Sequence, residues 1–279
     1  MNKITLLSIF ITCYAIAPIT YTNIIQDSQQ KILAQKIRHM ILSKPPHPTP
    51  TETTPTKSST DSSLADNYKK FFKLIPKADL HIHFGGTLQP QLMWDIAKRN
   101  NVELPFKSVE AIKNAYKFKG LSDLVKMDAL TVPIYKTEQD FYDVTWALCQ
   151  ELHKNNVVHF EIQWGPSEWQ QKSNISYITQ LKGISEALKK ASKDFGMTGY
   201  LLPIIMKQMD NKTATKLVQD TIKYKNEYIV GIGSSGPELG FTLGRFEEDY
   251  KLARENGLKT TAHAGEEGGP DYIWYAINI

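Results

Sequence analysis

From Lys77 onward, short β-prone runs alternate with longer segments whose apolar residues recur at helical spacing, and this alternation commits the chain to a parallel α/β arrangement. The first run lies within Lys77–Gly86, and others follow at Val157–Trp164, Tyr200–Met206, Tyr228–Gly233 and from Lys259 to His263. Between them, the stripes Leu88/Leu92/Ile96, Phe141/Val144/Leu148/Leu152, Ile178/Leu181/Ile184/Leu188 and Phe246/Tyr250/Ala253 each give a helix one apolar face to lay on a sheet. Asn155-Asn156, Gly196 and Gly257 supply natural stops, and a longer helical excursion is expected up to Gly120.

The chemistry gathers at the ends of the first and last runs. In an extended chain His81 and His83 point to one face, with Leu80, Ile82 and Phe84 expected on the buried side. Two neutral imidazoles aimed at a common point suit a metal such as zinc. Surface or satisfied core histidines would give the same spacing. Downstream, His263 is followed three residues later by Glu266, with glycines that let the backbone turn just past the strand. His263 can complete a three-histidine set, which leaves a catalytic zinc one open place for water. Glu266 then lies close enough to take and give protons. The competing reading makes Glu266 and Glu267 solvated acids at a helix start. In the second run His159, Glu161 and Gln163 share a face, and His159 reads as a buried, hydrogen-bonded structural histidine rather than a fourth ligand.

The length of 279 residues and 41% hydrophobic content allow one sizeable domain, alone or with tails. A net charge of +4, scattered and without basic blocks interleaved with aromatics, argues against a nucleic-acid partner. The sequence holds no Gly-rich phosphate loop and no Ser-His-Asp elbow. With only two cysteines it cannot build the Pro-Cys-x-x-Cys zinc site of the cytidine-deaminase type.

Taken together, His81-Ile82-His83-Phe84-Gly85-Gly86 and His263-Ala264-Gly265-Glu266 resemble the adenosine/adenine deaminase family of zinc hydrolases. The likeness continues through Pro76-Lys77-Ala78-Asp79-Leu80, Ala97-Lys98-Arg99-Asn100 and Glu267-Gly268-Gly269-Pro270-Asp271-Tyr272-Ile273. It implies a TIM-barrel-type (β/α) fold, incomplete here, with about five of the eight strand–helix units. It also implies one zinc per chain on His81, His83 and His263, proton transfer by Glu266, and a backbone contact to the purine ring near Gly236. The expected reaction is hydrolytic deamination of a 6-aminopurine: adenosine to inosine and ammonia, or adenine to hypoxanthine. The partner is then a small-molecule purine nucleoside or base, with no nucleic acid and no membrane once a signal is cleaved. The binuclear hydrolases of the wider superfamily carry a bridging lysine that the loop after the fourth run lacks, which favours a single zinc.

Two departures qualify the resemblance. Gly85 stands where the family commonly carries an acid, so a contact to a ribose hydroxyl or the base is missing and adenine competes with adenosine as substrate. The chain also ends at Ile279 inside the expected fifth helix, without the family's later histidine and aspartates. It is therefore expected to be a fragment that is catalytically silent and poorly folded. The rival expectation is a non-catalytic exported remnant that binds metal or partner chains.

Residues 1–22 have the form of a secretory signal peptide, with Lys3 before an apolar run from Ile4 to Ile19, which points to a secreted or periplasmic protein, the competing reading being an uncleaved membrane anchor. Its removal would leave Cys149 as the lone cysteine and no intrachain disulfide. Residues 23–66 should form a weak amphipathic helix and a disordered Pro/Ser/Thr-rich linker, with the barrel part at 67–279. His39 and His47 fall in that stretch and are excluded from the site.

Overall fold

The computed structural model describes residues 60–119 and 121–279. The expected signal peptide, the weak helix, His39, His47 and most of the expected linker lie outside the described residues. The end of that linker does not: α1 spans Thr60–Leu74, so residues 60–66 are helical rather than disordered. No glycine or proline interrupts the chain between Thr60 and Pro76, and Leu64, Ala65, Lys69 and Lys70 are good helix formers.

The next elements are β1 (Lys77–His83), a 3₁₀ turn (Phe84–Thr87), α2 (Pro90–Arg99), α3 (Val109–Ala115), α4 (Leu121–Thr131) and α5 (Glu138–Lys154). They are followed by β2 (Val157–Trp164), α6 (Pro166–Ser173), α7 (Tyr177–Phe195), β3 (Thr198–Met206) and α8 (Asn211–Lys223). The chain continues through β4 (Gly231–Ser235), α9 (Glu247–Glu255), β5 (Lys259–Thr260) and α10 (Pro270–Asn278). The expected helical stripes are present except at their first residues in two cases, since Leu88 precedes α2 and Phe246 ends a 3₁₀ turn before α9. The spacing analysis did not single out α6 and α8, which open on Pro166 at the first turn and on an Asp210 cap whose carboxylate accepts from Thr213 N–H at 2.9 Å.

The sheet has five strands in the order β1-β2-β3-β4-β5, and every pair is parallel. At the usual spacing of about 4.8 Å per strand, a flat sheet would hold β1 and β5 about 19 Å apart. Instead, imidazoles from the two edges meet at 3.0 Å. The sheet is thus curled into an arc of a parallel barrel with helices outside, which is the TIM-barrel-type fold in incomplete form. The arc brings imidazoles at the ends of the two edge strands together across its interior.

Two strand expectations also change. Leu80 is 56% exposed rather than buried, because among the described residues β1 is an edge strand that pairs only with β2. β4 begins at Gly231 instead of Tyr228, since Asn226 Oδ1 accepts from the N–H groups of Tyr228 and Ile229 at 3.1 and 3.3 Å and holds them in a turn.

The core packs hardest where β1 ends. Phe84 is 1% exposed and meets the rings of Phe141, Trp169 and Tyr135 at centroid distances of 5.9, 5.7 and 6.1 Å. This cluster fixes the residue that directly follows His83. Behind it, the buried carboxylate of Asp140 at the start of α5 accepts from Arg99 and Asn100 at the end of α2 and from the backbone of Lys136 and Thr137. Burial alone would raise the Asp140 pKa, yet these donors hold it below the usual carboxylate range. The Arg99-Asn100 pair noted in the sequence is therefore a structural brace. Truncating Phe84 to Ala should cost about 3–5 kcal/mol of stability, the range for large buried aromatics, and urea unfolding of wild type and variant measures it.

Candidate metal centre

His81 and His83 leave β1 on the same side, and His263 follows β5. One ring nitrogen from each lies within 4.8 Å of the other two. His83 Nε2 stands 3.2 Å from His81 Nε2 and 3.0 Å from His263 Nε2. Zinc–nitrogen bonds of 2.0–2.1 Å at tetrahedral angles would separate such nitrogens by about 3.3 Å. The donor set therefore fits zinc after an adjustment of a few tenths of an ångström.

The surroundings prepare two of the three rings. His263 Nδ1 donates to Ser234 O at 2.5 Å, which leaves Nε2 as the lone-pair side facing the other imidazoles. Burial, followed by the neighbouring His263 and His81, pushes the His83 pKa down to about 4. Burial also lowers that of His263, against the opposing pull of Ser234 O. Both rings are thus neutral near neutral pH, the form that ligates metal. His81 is the exposed member, and its Nδ1 lies 2.9 Å from the side-chain amide of Gln163 on β2.

Glu266 projects from the turn after His263 and is exposed, near enough to favour a charged His263. That turn is held by a residue the sequence reading passed over. The Glu238 carboxylate, 2% exposed, accepts from the N–H groups of Gly265, Glu267 and Gly268 at 2.7, 2.9 and 2.8 Å. It also pairs with the buried Lys207 ammonium at 3.4 Å. Glu238 returns the contact by donating its own N–H to Glu267 Oε2 at 3.0 Å. Gly265 sits at φ +75° in this turn, a conformation that suits glycine. A carboxylate placed directly after Gly236-Pro237, at the end of a buried strand, was the available signal.

The remaining sequence candidates fall around this centre. Gly236 adopts φ +94° in the loop after β4. His159 bonds Thr198 Oγ1 at 2.6 Å and stays outside the cluster, but its side chain is 28% exposed rather than buried, at the surface end of β2. At Gly85 the volume that a side chain would need is already taken, because a Cβ there would come within 1.8 Å of Asp128 Oδ1. Burial, with Glu168 adding to it and Lys172 opposing, pushes Asp128 up to about 6.

The profile of the family described as Adenosine deaminase matches residues 76–279. The chain belongs to that family. It is 34% identical over 213 residues to an adenine deaminase of Acinetobacter baylyi, covering 76% of this chain and 64% of the relative. It is 38% identical over 209 residues to an adenine deaminase of Chlorobium phaeobacteroides, covering 75% and 62%. Among solved structures, adenine deaminase from Arthrobacter aurescens superposes with a TM-score of 0.68 at 32% identity, over 72% of this chain and 61% of that one. An amidohydrolase from Burkhoderia ambifaria, solved with bound zinc, gives a TM-score of 0.69 at 26% identity, over 76% and 58%. The chain thus spans less than two thirds of the length of these relatives.

Glu238 gives the clamp a pH signature. Burial would raise its pKa, but the N–H groups of Gly268, Glu267 and Gly265, with Lys207, bring it from 4.5 to about 2. A depressed carboxylate stabilises the fold above its unfolded pKa and loses that contribution as pH falls through the folded one. Stability should therefore drop between about pH 4.5 and pH 2. Glu238→Gln should flatten that drop and cost about 3–5 kcal/mol at neutral pH by leaving Lys207 unpaired. Thermal unfolding across this pH range checks both.

Proposed function

We propose that this chain carries the metal-binding half of a purine deaminase site that converts adenine and water to hypoxanthine and ammonia. The convergence of His81, His83 and His263 on one point, with Glu266 on the next turn, supports this reading most directly. The naming of its relatives as adenine deaminases favours the free base over adenosine as the substrate here.

The three imidazoles would hold a single zinc. Its contribution when bound is Lewis acidity, which brings the pKa of water close to neutrality. Glu266 would protonate ring nitrogen N1, beside the amino-bearing carbon, and regain a proton from the water whose oxygen bonds that carbon, while the second water proton departs with the amino group as ammonia. Glu238 keeps that carboxylate's turn in register with His263. The backbone at Gly236 lies against the purine ring and orients it. In this reading the apolar segment at residues 4–19 directs the protein out of the cytoplasm, and cell fractionation tests it.

Metal analysis of the purified chain should find one zinc per molecule and nearly none after His81→Ala or His263→Ala. Unchanged zinc in both variants would remove the centre. In a full-length version of the enzyme, ammonia release from adenine should fall by about 10²–10⁴ in Glu266→Gln, the usual contribution of a positioned acid–base group. An active Glu266→Gln variant, or turnover of adenosine ahead of adenine, would contradict the assignment.

A further inference from the structure

The three imidazoles differ in what holds their outer nitrogen. Behind His263 stands a carbonyl, Ser234 O, which can only accept. Behind His81 stands the Gln163 amide, which can either donate or accept. Gln163 is 3% exposed on β2, opposite His83 in the β1–β2 register. Its Nε2 faces His81 Nδ1 at 2.9 Å, while its Oε1 is buried without a hydrogen-bond partner.

We infer that Gln163 is the positioning residue that sets the tautomer of His81, by turning its amide oxygen to accept the Nδ1 proton when a metal binds Nε2. The inference rests on the metal-centre reading above. With the amide nitrogen toward the ring, Nδ1 must accept, so the His81 proton sits on Nε2 and points at His83 Nε2, 3.2 Å away. That arrangement suits the ring without metal and blocks ligation. Ligation needs the Nε2 lone pair, which moves the proton to Nδ1 and sets it against an N–H donor unless the amide rotates. Rotation by 180° replaces that clash with an Nδ1–H to Oε1 hydrogen bond. It breaks no other bond of the oxygen, which has none now. Such a partner fixes the ring's orientation and raises the basicity of the ligating nitrogen.

The test compares wild type, Gln163→Leu, Gln163→Glu and His83→Ala by zinc competition with a chromophoric chelator and by the visible absorption of bound cobalt(II). Gln163→Leu should bind zinc about 10–100-fold more weakly, the usual cost of losing an outer partner of a metal-bound histidine. Gln163→Glu, which can only accept, should bind at least as tightly as wild type and keep its cobalt spectrum. A merely structural role for Gln163 would not separate Glu from Leu in this way. Gln163→Leu within about twofold of wild type, or Gln163→Glu as weak as Gln163→Leu, overturns the inference. His83→Ala should lose the metal. If it retains the metal, the centre itself falls and the inference with it, whereas loss in His83→Ala alone overturns only the role of Gln163. Where Gln163→Leu does not fold, Gln163→Met replaces it under the same criteria.

Discussion

A single buried carboxylate ties the last three strands to the candidate centre. Glu238 leaves β4, Lys207 leaves β3, and the turn carrying Glu266 leaves β5, and all three meet at one charge pair. Removing a carboxylate and an ammonium from water costs several kcal/mol per ion, and their mutual attraction alone seldom offsets it. Here three backbone N–H groups add to the attraction, and together they outweigh burial, which is why the carboxyl titrates so low. The consequence is geometric. The turn after His263 cannot move as a free loop, because its N–H groups are already committed.

The other end of the centre is held by packing rather than charge. Phe84 is locked among Phe141, Trp169 and Tyr135, and it follows His83 with no residue between. The curl of the sheet then carries this edge toward β5. Each ligand is thus placed by an interaction outside the triad: an aromatic cluster behind β1 and a carbonyl of β4 behind His263. A site placed by its surroundings demands little reorganisation when it is filled.

The histidines and Glu266 were legible in the sequence because their signals are local: alternation along a strand, and glycines that force a turn. The helices with unbroken apolar stripes were legible for the same reason. Glu238, Lys207 and Gln163 were not, since each acts through a partner at least 27 residues away, and spacing carries no trace of such a partner. Leu80 misled because period-two alternation predicts which face a residue takes, but not whether another element covers that face. The acid absent at position 85 is a subtler case. Its volume is occupied by Asp128 from a distant helix, a substitution of space that only three dimensions reveal.

The balance of protons among the three imidazoles points to what they are built to hold. His263 Nε2 carries a lone pair, because its proton is given to Ser234 O. His83 Nε2, 3.0 Å away, must therefore donate to it or oppose it. If His83 donates there, it cannot also accept from His81, whose nitrogen lies 3.2 Å off on the other side. Three nitrogens packed this closely cannot all be satisfied by neutral rings alone. An extra proton would relieve the conflict, but burial disfavours charge on His83 and His263. A divalent cation removes it differently, by accepting all three lone pairs at once with the protons on the outer nitrogens. The frustration among the rings and the resistance of His83 and His263 to protonation therefore favour the same occupant.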